Sequence, residues 1–206
     1  MNAQLHPYLE HFRIRHAQIL ASLADFLRLK DNQFSYFTCC QKILDPFLKQ
    51  EEQTLFLAIS AKANITAGGP LCMLYYEQHQ NSPSILRAES ICGITIPKPS
   101  PETVDEAQWS FFEVNSPVCI PILDHIACSN IVKSALPLLN RSIGPKSAST
   151  LLHLATIHFD ILKLNFEKKD NCLLPMSQQL LSEEEMNAFV LKLRLPDNSP
   201  PLKHRI

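Results

Sequence analysis

Apolar residues recur at three- and four-residue spacing along most of this chain, the mark of helices with one buried face. Behind Pro7, which suits a first helical turn, Leu9, Phe12, Ile19, Leu20, Leu23, Phe26 and Leu27 predict a helix ending at Asp31-Asn32. A second helix is expected over Phe34 to Ala61. Pro46 should kink it, because proline lacks the donor for the preceding turn. A third helix is expected from about Ile122 to Leu139, with Pro137 near its end and Gly144-Pro145 as a stop. The longest periodic stretch, Ser147 to Gln179, is carried by Leu151, Leu154, Ile157, Ile161, Leu164, Leu173 and Leu174. Ser182-Glu183-Glu184-Glu185 then opens a short last helix, with Ser182 as its cap and Glu185 completing a capping box. Four long helices with short connectors predict an all-α fold, an antiparallel four-helix bundle.

The segment from about residue 62 to 116 has another texture. Gly68-Gly69-Pro70 breaks the chain, Leu71 to Gln80 reads as a short helix, and Ser84 to Ser90 as another helical piece. Prolines at 97, 99, 101, 117 and 121 argue for irregular structure, with a helical turn near Val104 to Trp109. This segment is read as an insertion between the second and third helices of a single domain, 1–195. Residues 196–206 hold three prolines and are expected to form a mobile tail.

Charge narrows the classes of partner. Lys and Arg number 19 against 20 for Asp and Glu, so no bulk field favours nucleic acid or a membrane surface. The seven cysteines include no Cys-x-x-Cys pair, which argues against a disulfide framework or structural zinc and for buried reduced thiols. The first residues lack the basic and apolar regions of a signal peptide. No apolar run reaches the ~20 residues of a membrane span. A soluble, cytoplasmic protein is the expectation.

The candidate chemistry lies in Asn165-Phe166-Glu167-Lys168-Lys169-Asp170-Asn171-Cys172-Leu173-Leu174-Pro175-Met176. This run resembles the fourth metal-binding helix of hemerythrin-like proteins, His-Phe-x-Lys-Glu-Asp-Asn-x-Leu-Phe-Pro-Met. The resemblance extends to His11-Phe12-Arg13-Ile14-Arg15-His16, with His16 at the first-helix ligand place. It also covers Phe47-Leu48-Lys49-Gln50-Glu51-Glu52-Gln53-Thr54-Leu55-Phe56, which is similar to His-x-x-x-Glu-Glu-x-x-Leu-Phe. For the third helix two elements compete: Gly68-Gly69-Pro70 with Glu77-Gln78, and Asp124-His125-Ile126-Ala127-Cys128. Similar loop lengths in the two halves favour His125 over Gln78.

Such proteins hold two irons inside the bundle. Residues four apart share one helix face, so each His-x-x-x-Glu pair aims an imidazole and a bridging carboxylate at one point. Here His16, Glu51 and His125 retain ligand types, while Phe47, Asn165 and Lys169 replace a His, a His and a Glu. Phe binds no metal, Asn is a weak oxygen donor, and the Lys169 cation would repel iron. The expectation is an ion pair between Glu51 and Lys169, with His16, His125 and Asn165 supplying hydrogen bonds. One of Glu51 and Glu52 should turn inward, and Glu51 is the residue that matches. His79, His153 and His158 match no ligand place and read as structural or surface groups.

The resemblance then implies a hemerythrin-like domain that has lost its two-iron centre. It would serve as a non-catalytic binding or interaction module, without cofactor, with the insertion offered to a protein partner. One alternative is a single divalent ion on His16, Glu51 and His125. Another is a working iron protein of oxygen, nitric-oxide or redox type, using ligands such as Gln78, His79, His158 or Asp170.

Overall fold

The computed structural model describes residues 4–29, 33–62, 86–87, 89–90, 105–113, 116–139 and 145–193. Among them the chain is helical, without a strand, and its long helices pack on one another. The expected helix over Leu71 to Gln80, Gln78 and His79 with it, and the 196–206 tail lie outside the described residues.

Helix α1 spans Pro7–Arg28, and the His6 side chain accepts from the Tyr8 amide at its start. It stops before Asp31-Asn32, at a Leu29 cap. The second helical run is unbroken from Gln33 to Lys62 but changes pitch twice. It comprises α2 (Gln33–Cys39), a π-turn over Cys40–Leu44, α3 (Asp45–Glu51), a π-turn over Glu52–Phe56, and α4 (Leu57–Lys62). Helix α5 (Glu106–Glu113) and α6 (Cys119–Leu139) follow. The final run is α7 (Pro145–Lys168), a π-turn over Lys169–Leu173, α8 (Leu174–Leu180) and, after Leu181, α9 (Glu183–Leu193).

Two of the three π-turns have a local cause. Pro46 and Pro175 each stand two residues after the end of one. A proline ring cannot sit against the carbonyl four residues back, so the turn before it widens. The helix therefore passes Pro46 by widening instead of breaking. No proline follows the turn over Glu52–Phe56, whose side chains belong to the site described below.

Buried aromatic and aliphatic residues join the runs. Leu9, Phe12, Ile19 and Leu23 of α1 meet Tyr36, Phe37, Leu55 and Phe56 of the second run and Leu151, Leu154 and Phe166 of α7 in one core. Cross-chain hydrogen bonds set the register. Tyr8 Oη reaches Thr54 Oγ1 at 3.1 Å, Tyr36 Oη meets His158 Nδ1 at 2.8 Å, and Asn165 Nδ2 donates to the Pro121 carbonyl at 3.3 Å. Ser60 and Ser116 hydroxyls are hydrogen-bonded, bringing the end of the second run beside the start of α6. Helix α6 is long and apolar enough to cross a membrane by length and composition, yet most of it is buried against its neighbours.

The cysteines depart in part from the expected set of reduced thiols. Cys39, Cys40 and Cys128 are buried free thiols, and burial pushes the Cys39 thiol up to about 11, which keeps it protonated and inert. Cys172 is free and exposed, and Cys119 is disulfide-bonded. Residue spacing could not foresee that bond, because it depends on which thiols the fold brings together.

The capping box at α9 forms as a reciprocal pair. The Glu185 amide donates to Ser182 Oγ at 3.2 Å, and the Ser182 amide donates to Glu185 Oε2 at 2.8 Å. Ser182→Ala should lower the unfolding free energy by about 1 kcal/mol in a denaturant titration. An unchanged midpoint would mean that the cap adds nothing to α9.

Candidate functional site

Helix α1, the second run, α6 and the final run each send polar side chains into the apolar core, and these side chains meet. Lys169 and Glu51 are both fully buried. Lys169 Nζ donates to Glu51 Oε2 at 2.5 Å, the ion pair expected from the sequence, and to His125 Nε2 at 3.2 Å. His16 Nε2 lies 2.9 Å from Glu51 Oε1, and its Nδ1 lies 2.6 Å from Asp170 Oδ1. Carboxylates only accept, so both contacts are made at once with the His16 ring as imidazolium.

Beyond His125 the network continues. Because His125 Nε2 accepts from the ammonium, the ring proton sits on Nδ1 and is donated to Glu52 Oε1 at 2.7 Å. Gln108 Nε2 of α5 donates to both Glu52 oxygens at 2.9 Å. An unbroken series of hydrogen bonds thus runs from Asp170, whose side chain is 27% exposed, through the core to Gln108.

The widened turns explain how so many polar groups converge. Adjacent residues of a regular helix point in well-separated directions. Glu51 and Glu52 straddle the entry to one π-turn, and Lys169 and Asp170 open another. Each pair of neighbours enters the network together, so both carboxylates turn inward where one was expected. Single π-turns often mark functional positions in helices.

Rings surround the charges. Phe166 stacks on His16 with centroids 4.1 Å apart and lies 4.5 Å beneath the Lys169 ammonium. Phe56 stacks on His125 at 5.5 Å. Phe47 places its ring edge-on to His16 at 5.6 Å, so apolar packing fills this place. A desolvated cation over an aromatic face gains up to about 2 kcal/mol, which offsets part of the cost of burying Lys169.

Asn165 does not support the ion pair as expected. Its Nδ2 donates to Asp124 Oδ2 at 3.1 Å, an oxygen that Lys168 Nζ also reaches at 3.1 Å, and its Oδ1 has no partner among the described residues. His158 also lies apart from the network. It is buried beside Tyr36, and burial lowers its pKa to about 4. His153 is exposed on α7, the surface role foreseen for it.

Electrostatics favour the paired state. Burial alone would raise the Glu51 carboxyl and lower the Lys169 ammonium. At Glu51 the opposing attraction of Lys169, then of His16, wins, and the carboxyl is held down to about 2.

The donors do not fit the two-iron centre that the resemblance implies. Lys169 Nζ occupies the space between Glu51 and His125, and both Glu51 oxygens are engaged. Asn165 Oδ1 is unclaimed, but it is a neutral oxygen of low affinity for iron. Among the described residues no group of three or more His, Cys, Asp and Glu side chains is disposed to hold a metal ion.

Sequence reasoning missed Glu52, Asp124, Gln108 and Lys168 as members of this site. It had Asp170 only as an unaligned possible metal ligand. The one available signal was the charged runs Glu51-Glu52 and Lys168-Lys169-Asp170.

Removing one partner should be costly and removing both mild. Lys169→Met should destabilise by about 3–5 kcal/mol, since Glu51 is left buried without its cation, whereas the double variant Glu51→Leu with Lys169→Met should fall near wild type. Urea unfolding of Lys169→Met, of Glu51→Leu and of the double variant checks this, and an additive double variant would deny the coupling. Acid should act through the same pair. Glu51 titrates at 4.5 unfolded and about 2 folded, so its contribution is present above pH 4.5 and is lost as the pH falls toward 2. That difference amounts to about 3 kcal/mol. His158, lowered from 6.5 to about 4, adds an earlier loss as the pH falls from 6.5 to 4. Stability measured against pH should fall in both windows, with the lower one flattened in Glu51→Gln.

Comparison of the chain with protein-family models, with curated proteins and with solved structures finds no match.

Proposed function

We propose that this chain is a hemerythrin-like antiparallel four-helix bundle whose two-iron centre has been replaced by a buried ion-pair network. On this reading it acts as a non-catalytic binding module. The observation that carries the proposal is the Lys169 ammonium, which touches Glu51 and His125 from the place a bridging carboxylate would take. Opposed neighbouring helices are supported by contacts that join the start of one run to the end of its neighbour. Examples are Tyr8 with Thr54, Ser60 with Ser116, and Asp124 with Lys168.

An internal cation satisfies the charge of Glu51 without an exchangeable metal, so the core needs none to fold. The surfaces left for function are then outside the charge network. The segment of about 62–116 is the proposed docking surface for a protein partner, supported by its length and its position between two long helices. The proposed compartment is the cytoplasm, on the buried free thiols Cys39, Cys40 and Cys128. The Cys119 disulfide counts against that, since such bonds persist in oxidising compartments.

A second reading has one observation in its favour. His16 Nε2 and His125 Nε2 both flank Glu51, at 2.9 and 3.9 Å, so a two-His, one-carboxylate set is present if Lys169 swings away. Metal analysis of protein produced in iron-supplemented medium, with its visible spectrum, separates the readings. The expected result is no stoichiometric metal and no oxo-bridge absorption. Two irons per chain with that absorption would sink the proposal, and one divalent ion per chain that Lys169→Met binds more tightly would favour the second reading.

A further inference from the structure

A cleft of about 410 Å³ opens between the second run and α6, with α5 at one end. Its volume lies within the range of small-molecule sites. Its walls carry Asp45, Lys49, Glu52, Asp105, His125 and Lys133. Asp45 and Glu52 are seven residues apart, about 10 Å along a helix. At the Asp45 end, the ammonium groups of Lys49 and Lys133 both act on a single carboxylate, leaving an excess of positive charge. At the other end Glu52 accepts from Gln108, and Asp105 also lines the wall.

Glu52 differs from the other carboxylates of the network. Glu51 faces Lys169, Asp124 faces Lys168, and Asp170 faces His16. Glu52 is buried to 8% exposure, and among the described residues it is met by the neutral His125 ring and the neutral Gln108 amide. A buried carboxylate held only by neutral donors keeps an uncompensated negative charge, a costly arrangement unless a cation approaches. The cleft is the side from which one can come.

We propose that this cleft binds a small zwitterion of amino-acid to dipeptide size, its ammonium group on Glu52 and its acid group between Lys49 and Lys133. The ammonium supplies the cation that Glu52 lacks and the acid takes up the excess charge at the lysine end. The modest volume excludes a large ligand, and the charged side chains on the walls disfavour a purely apolar one. Glu52 also leads through His125 to the buried Lys169, so an ammonium docked there perturbs the His125 ring as well. This deepens the binding-module reading by naming its ligand class, and the two fail separately. Iron in the core defeats that reading in metal analysis, whereas an empty cleft defeats this one in titration.

The test is calorimetric titration of the whole chain with glycylglycine, 1,4-diaminobutane and glutarate, with the His125 ring followed by NMR. Glycylglycine should bind with one-to-one stoichiometry and shift the His125 signals, the diamine more weakly, and glutarate not at all. Glu52→Gln keeps an acceptor for His125, and Lys133→Met alters an exposed side chain. With the wild-type melting profile retained, each should weaken glycylglycine binding at least about tenfold. Absence of binding by the wild-type chain, equal affinity in either variant, or preference for the diamine or glutarate would each overturn the proposal.

Discussion

The buried ion pair between Lys169 and Glu51 is the constraint on which the centre of this molecule depends. Each charge costs several kcal/mol to remove from water, and their attraction repays that only in good geometry with the remaining hydrogen-bonding positions filled. Those positions are filled: His16 takes the second Glu51 oxygen, and His125 takes a second ammonium proton. Phe166 and Phe56 give the cation apolar faces to rest on. Four separate helical runs are thereby tied to one point, because no partner can shift without stranding another's charge.

A network of this kind specifies an arrangement more than it stabilises one. Apolar residues of the same volume would pack the same space without the desolvation cost. What apolar packing cannot supply is a directional link between distant surfaces. Here the link runs from Asp170, half-buried near one face, to Gln108 and Glu52 at the cleft. The π-turns that admit Glu52 and Asp170 break regular helical geometry, and such departures persist where a site needs side chains that a regular helix would point elsewhere.

Much of the helical layout was legible from spacing alone. The periodic Leu, Ile and Phe positions of the first, third and fourth long helices located α1, α6 and α7, and the Ser182–Glu185 box located α9. These are local signals, written within a few residues of where they act. Boundaries shifted where local chemistry was ambiguous, as at Arg28. At the site, the Glu51–Lys169 pair was legible because the resemblance sets a lysine opposite Glu51, where it implies a second carboxylate. Glu52 was not, because an adjacent acid on a regular helix faces solvent, and only the widened turn brings it inward. Asn165 was misjudged for a different reason: its identity was clear, but its partner, Asp124, is set by how α6 lies against α7.

By itself, the sequence determined the helical character of the chain, its apolar faces and the presence of unlike charges at positions buried by those faces. These follow from periodicity and composition, which depend on neighbours in the chain. Only the tertiary structure decided which charge meets which, that His125 relays Lys169 to Glu52, and that Glu52 borders a cleft. Contacts across 35 to 154 residues of chain carry these decisions, from His16–Glu51 to His16–Asp170. Hydrogen bonding acts over about 3 Å and in fixed directions. No local pattern encodes such distances between remote residues, and helix packing sets them.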